Sequence, residues 1–367
     1  MSFSELHLLW TFLAVFALSS PVWGREKINF YNGARSLGMG GVSAAVVNDE
    51  TALAVNPAAL GRLRDFYGTI LDPELDIGSK SLDIYRAQAF SQPTKIDDVL
   101  PAMITSLGTY YHAGTHLFPS FVATNFGIGL LVSSQLSGQA TSATQADLFY
   151  RNDMALLLGY NLRLWDGRIK LGFTGKVISR IELNEATLNP AAQNNDNDTL
   201  AAAGLLKEGT GIGADVGLLL TAPWTMLPAL GLVVHDVGNT AYTNTLYSRL
   251  SSAVAKPDTS LQDADVALSL SPIHQNNMRS VWTIEYKGAL TASNETDKAK
   301  LIHFGTEFNF SDVLFLRAGY NQRYWTAGAE LAGEKFQFQL ASYGEEVGTS
   351  TNTQEDRRYV LKVAFRF

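Results

Sequence analysis

The sequence predicts an all-β fold, a transmembrane antiparallel β-barrel of about fourteen strands. Three observations carry that prediction. The last eleven residues read R-R-Y-V-L-K-V-A-F-R-F, with Tyr359, Leu361, Val363, Phe365 and Phe367 on one face of a strand and Arg358, Lys362 and Arg366 on the other. Apolar groups outward and charges inward suit a wall between lipid and water. The same alternation recurs over runs longer than the ~5–6 residues usual for soluble strands. No run of ~20 apolar residues follows residue 24, so helical spans are excluded.

Composition agrees. The chain has 367 residues, enough for one large barrel, and 17% of them are charged, below the ~25% of soluble proteins. Its mean hydropathy is near zero, which alternation produces and helical spans would not. A net charge of −7 without a basic cluster argues against nucleic acid. Cysteine is absent, which removes disulfides, thiol nucleophiles and thiolate metal sites.

Each strand can be read in order. Met154, Leu156, Leu158, Tyr160, Leu162 and Leu164 oppose Gly159, Asn161 and Arg163, and the turn Asp166-Gly167 joins them to a run from Ile169 to Glu182. Alternation returns at 212–220, 282–287, 302–310, 314–323 and 336–340, with short turns at Ser311-Asp312 and Ala332-Gly333. The parity opposite the apolar face carries Lys170, Lys176, Arg180, Glu182, Asp215, Glu307 and Arg317. So many ionic groups belong beside water in a lumen and not in a soluble core. Closure follows, because lipid cannot satisfy an open sheet edge.

Polar stretches at 184–209, 239–278 and 345–356 read as long outer loops. Between 92 and 115, Ile96, Val99, Leu100, Met103 and Leu107 suggest one face of a short helix broken by Pro101. Trp165, Trp224, Trp282 and Trp325 are expected at strand ends as interfacial anchors. At the N-terminus, Leu8–Leu18 followed by small residues at 22 and 24 reads as a signal peptide over 1–24, although its first residues carry no Lys or Arg. The alternative, an uncleaved anchor, is short for a bilayer.

Ahead of the first strand stand G-A-R-S-L-G-M-G-G-V at 33–42 and N-D-E-T-A-L-A-V-N-P-A-A-L at 48–60. These resemble the opening of the FadL/OmpP1 (TodX) superfamily of outer-membrane transport proteins, whose relatives include PorV-like and TraF-like proteins. The matching residues are Gly33, Arg35, Gly38, Met39, Gly40, Gly41, Asn56, Pro57 and Ala58. The resemblance implies that 25–65 folds as a plug inside a barrel of 66–367. The glycines would allow positive φ and close backbone approach, and Pro57 would hold Asn56 extended so that its amide could reach strand backbones. Sealing and gating are equally open roles for such a plug. Phe367 as the final residue resembles the C-terminal insertion signal of outer-membrane barrels, with Tyr359, Leu361, Val363 and Phe365. That implies the barrel-insertion machinery as a partner and the bacterial outer membrane as the location.

Chemistry is sparse. His112 and His116 are spaced for one helical face, but no HExxH accompanies them. Asp196 and Asp198 lack the glycine and terminal acid of a calcium loop. Gly209, Gly211, Gly213 and Gly217 miss both nucleotide patterns and read as small lumen-facing residues. Ser133 and Ser134 lack a nucleophile elbow, and Asp215, Glu307 and His303 form no recognisable triad. No cofactor, metal or catalytic activity is expected. The resemblance implies passive uptake of hydrophobic small molecules of the fatty-acid or hydrocarbon type, with membrane lipid and the hydrophobic ligand as partners. It further implies an apolar pocket and a side opening. Leu100, Met103, Leu107 and Phe118 are candidate linings, and Gly127 and Gly129 a candidate bend. The alternative is a PorV-like or TraF-like scaffold that holds a secreted or surface protein on its long loops.

Overall fold

The structure is a computed structural model that describes residues 26, 28–64, 66–87, 92–190, 195–243, 246–251, 254–275 and 277–367. The expected signal peptide at 1–24 lies outside them. Fourteen antiparallel strands form a closed ring. Two strands come in two pieces: β1 is Tyr67–Leu71 and Glu74–Gly78, and β2 is Tyr110–Leu117 and Ser120–Ala123. There follow β3 (Phe126–Ser142), β4 (Gln145–Leu164), β5 (Ile169–Leu188), β6 (Lys207–Thr221) and β7 (Ala229–His235). After them come β8 (Asp263–Leu270), β9 (Met278–Tyr286), β10 (Ile302–Phe310) and β11 (Leu314–Asn321). The last are β12 (Tyr324–Ala332), β13 (Phe336–Glu346) and β14 (Glu355–Arg366). Each strand pairs with its sequence neighbour, and β14 pairs with both pieces of β1 to close the ring. No helix among the described residues is long and apolar enough to cross a membrane.

Alternation sets which way each side chain faces. Along β4, Leu156, Leu158 and Tyr160 are 49%, 52% and 54% exposed, whereas Ala155 and Leu157 are fully buried. Phe173, Leu268, Ile284, Phe304, Leu316, Leu340 and Phe365 are exposed in the same way on other strands. A water-soluble surface rarely carries so continuous an apolar girdle. Tight turns close one end. Trp165, Asp166 and Gly167 all have positive φ, as do Ser311 and Asp312, which matches the twist a short hairpin needs.

The wall is uneven. β3 to β6 run for 17, 20, 20 and 15 residues, but β7 to β12 for only 7 to 9. The extra height lies at the end opposite the tight turns. There Leu148, on the parity of exposed Met154 and Leu156, is buried, together with Tyr111, Ala113 and Leu136. They cluster with α4 (Ile96–Met103), with Ile84 of α3 (Ser79–Ala87) and with Leu200 of α5 (Asn197–Ala202). Where the wall rises above the girdle, helices from the loops cover its apolar face.

Several expectations change. Pro101 sits inside α4 without breaking it. His112 and His116 lie on strand β2, not on a helix. β8 occupies part of the polar stretch 239–278, because Asp263, Asp265 and Ser269 mask the alternation of Val266, Leu268 and Leu270. β5 and β13 extend past their expected ends to Leu188 and Glu346. Trp282 falls in mid-strand on β9, whereas Trp165, Trp224 and Trp325 are at strand ends and 70% exposed or more.

Candidate functional site

Residues 28–64 lie against the inward faces of the strands. α1 (Ala34–Gly38) leads into Gly40 and Gly41, at φ 74° and 83°. A Cβ on Gly40 would stand 2.2 Å from Phe304 O and 2.8 Å from Tyr320 N. The wall answers with its own glycines: a Cβ on Gly305 would lie 2.2 Å from Met39 O, and one on Gly319 2.4 Å from Gly40 N. Backbone meets backbone here, which only glycine permits. Thr326 Oγ1 of β12 donates to Gly38 O at 3.0 Å and accepts from Gly40 N at 2.9 Å. Glu285 of β9 accepts from Ser43 N at 2.6 Å and Ala44 N at 2.9 Å.

Further along, α2 (Ala52–Val55) and a 3-10 turn at Pro57–Arg62 meet the opposite sector. Leu53 and Leu60 are fully buried against Gly127 and Gly159. Pro57 and Ala58 rest on Gly172, where a Cβ would come within 2.1 Å of Ala58 N. Asn56 is extended, at φ −152° and ψ 101°. Its amide, expected to reach strand backbones, instead stays within the segment: Nδ2 donates to Ala44 O at 2.6 Å and Oδ1 accepts from Ala58 N at 3.0 Å. The short turn leaves an orphan N–H that the nearest side chain caps.

The inward charges are mostly paired with one another. Arg35 donates to Glu307 through Nε at 3.0 Å and Nη2 at 2.9 Å, and through Nη1 to Asp49 at 3.1 Å. Glu307 also holds Arg317 at 2.7 Å, and Arg317 reaches Glu330. Lys176 pairs with Asp215 at 2.8 Å and Asp236 at 2.9 Å, Arg180 with Asp153 at 2.7 Å, and Arg151 with Glu182 at 2.6 Å. Only Lys170 among the predicted lumen cations finds a carbonyl, Gly167 O, in place of a carboxylate. These groups are buried, and pairing keeps them charged there. Burial would raise the Asp49 carboxyl, but Arg35 and the Thr51 hydroxyl outweigh it and lower it to about 2.

The four candidate lining residues do not come together. Leu100 and Met103 belong to the cluster under α4. Leu107 follows the helix end and is 52% exposed. Phe118 faces inward beside Tyr31, with ring centroids 5.7 Å apart. Gly127 and Gly129 make room for Leu53 and Phe118, and β3 runs through them without a break. His303 Nδ1 donates to Gly40 O at 2.8 Å, on the inner face of β10. His112 Nε2 approaches Asp76 at 3.4 Å.

Crystal structures share this architecture. The Pseudomonas putida toluene transporter TodX is 14% identical and aligns over 94% of this chain and 99% of its own, with a TM-score of 0.55. The CymD monoaromatic hydrocarbon channel (13% identical, 91% and 96% covered, TM-score 0.53) and the Ralstonia pickettii toluene transporter TbuX (15%, 91% and 98%, 0.51) also align. The chain has the fold of these channels. No family model and no curated protein matches its sequence.

Within that fold the wall is interrupted near Pro73 and Pro119, a feature that the sequence reading did not single out. The register of β1 against β14 shifts by one residue between Thr69 and Leu71, Asp72-Pro73 separates the two pieces of β1, and Phe118-Pro119 separates the pieces of β2 beside it. Proline cannot donate to a ladder, so Pro73 and Pro119 on adjoining strands thin the wall's hydrogen bonding. Ile70 and Leu71 both face outward there, 60% and 45% exposed. Asp72 bridges the gap inside, accepting from Phe118 N at 2.5 Å and pairing with Lys362 at 3.0 Å. A proline inside a strand-length run was the available signal. A separate cavity of ≈ 230 Å³ is lined by Phe30, Tyr31, Arg151, Arg180, His235 and Lys287 among others. It is polar where an apolar pocket was expected.

Proposed function

We propose that the chain is a bacterial outer-membrane barrel for passive uptake of hydrophobic small molecules. Residues 1–24 would be its signal peptide, 25–65 a lumen plug and 66–367 the barrel, with the tight turns toward the periplasm. The observation that carries this reading is the closed fold with its apolar girdle, shared with hydrocarbon channels over 91–94% of the chain. The thinned wall at Pro73 and Pro119, with Tyr31 and Phe118 behind it, would be the side exit. Cargo would leave through it into the bilayer without crossing the ion-paired interior. Toluene or fatty-acid uptake by cells producing the protein should exceed that of cells lacking it and saturate. Replacing Pro73 and Pro119 with valine, which restores ladder donors, should slow uptake without unfolding the barrel. Equal uptake with and without the protein would end the transport reading.

One observation favours the scaffold alternative: the interior is crossed by ion pairs and its cavity is lined by charged groups. Native mass spectrometry of protein taken from its own membrane separates the two. Bound lipid or hydrocarbon supports transport, and a stoichiometric polypeptide supports the scaffold.

A further inference from the structure

Higher in the lumen, buried cations meet carboxylates, as Lys176 does with Asp215 and Arg317 with Glu307. The tight-turn end departs from this. Lys170, 7% exposed, has Gly167 O as its hydrogen-bond partner, and Arg62 has Ala45 O. Arg163 lies against Gly167, its Nη2 3.1 Å from the place a Cβ would take there. Lys170 Cδ lies 3.0 Å from the corresponding place on Gly61, next to Arg62, and Lys170 is within electrostatic reach of both arginines. Among the described residues, no carboxylate oxygen lies within 4.0 Å of the three cationic groups.

A second observation points the same way. Asn161 is 1% exposed and its Nδ2 donates to Ala58 O and Leu171 O, but its Oδ1 has no donor among the described residues. That oxygen stands 2.3 Å from the Gly61 Cβ position, on the side of Lys170. Three cations require acceptor oxygens, and Asn161 Oδ1 requires a hydrogen. A carboxylate meets the first demand only. A hydrogen-bearing phosphate meets both.

We propose that Arg62, Arg163, Lys170 and Asn161 form a phosphate-binding site at the tight-turn mouth of the barrel. The group is a free phosphate or phosphate monoester, or a phosphatidylglycerol headgroup, whose diester carries no hydrogen and whose glycerol hydroxyl would donate to Asn161 Oδ1 instead. The inference does not depend on the transport reading.

Calorimetric titration of the detergent-purified barrel with inorganic phosphate tests it. Saturable binding should weaken about tenfold on Arg163→Gln, the loss of one charge-assisted contact. Arg163 is exposed, so this variant folds; Lys170→Arg should retain binding and Arg279→Gln, at another turn, should leave it unchanged. Sulfate, which carries no hydrogen at neutral pH, should bind more weakly than phosphate if Asn161 takes part. The lipid source is read from phospholipid co-purifying with the wild type, with phosphatidylglycerol lost on Arg163→Gln. Neither saturable phosphate binding nor retained phospholipid in the wild type overturns the proposal. Binding that Arg163→Gln leaves intact overturns it equally.

Discussion

The N-terminal segment meets the barrel in two different ways. Residues 33–44 face β9 to β12 through glycine backbones and carboxylates, Gly40 on Gly319, Arg35 on Glu307 and Ser43 on Glu285, with Ala34 and Leu37 adding an apolar contact to Ala341 and Tyr343 of β13. Residues 52–60 face β3 to β6 through apolar side chains seated on glycines, chiefly Leu53 and Leu60. The first contact tolerates one register, because hydrogen bonds and backbone contacts are directional. The second adds apolar area burial, which is not directional and tolerates adjustment, to its own directional contacts: Ala58 on Gly172, Asn161 to Ala58 O and Thr174 to Leu53 O. The difference teaches that one sector fixes where the segment sits and the other contributes much of its adhesion.

The sharpest way to break this comparison is Gly319→Val. Its Cβ would lie 2.4 Å from Gly40 N and 2.5 Å from Met39 C, and neither backbone can yield. A loss of about 4 kcal/mol or more is expected, read as a collapsed urea midpoint in Trp fluorescence. Gly175→Ala is the matched control. Nothing lies within 4 Å of its Cβ position, so it should change stability by no more than about 0.5 kcal/mol. Equal effects would show that the close approach does not constrain the segment.

Next in size is Glu307→Gln. It leaves Arg35 and Arg317 buried with one carboxylate fewer, although Asp49 and Glu330 remain. The expected cost is about 3 kcal/mol, from uncompensated buried charge. Leu53→Ala on the opposite sector should cost about 2 kcal/mol, since Leu60 and Val122 are near enough to relax into the space. A larger effect for Leu53 than for Glu307 would reverse the assignment of roles.

Legibility in the sequence followed the same divide. Strand rhythm and strand number could be read because parity is strict and one slip turns every side chain to the wrong face. The glycines of the N-terminal motif could be read as places of close approach, but not their counterparts Gly305, Gly319 and Gly328, since a wall glycine looks alike whether or not a backbone lies against it. The amide of Asn56 stays within its own segment because Ala58 N, two residues on, offers a local donor, and the fold of the segment brings Ala44 O within reach. Leu100 and Leu107 looked like one helical face, but the helix ends at Met103. The charge pairs across the lumen, such as Lys362 with Asp72, join residues far apart in the chain, and no spacing rule reaches that distance.

The finest test uses pH. Asp49 is held at about 2, below the ordinary carboxylate value of 3.8, by Arg35 after burial has pushed the other way. A depressed folded value means its contribution is present above the ordinary value and lost as pH falls through the folded one. The stability difference between wild type and Asp49→Asn should therefore be constant above pH ~5 and shrink between pH ~4 and ~2. Other acids titrate in that window too, so the difference between the two proteins is the quantity to follow and not either midpoint alone. Leu53→Ala carries no charge and should show a difference from wild type that does not vary over the same range. A pH-independent gap for Asp49→Asn would mean that the Arg35 contact orders the loop without holding a charge. The directional sector would then rest on glycine packing and neutral hydrogen bonds.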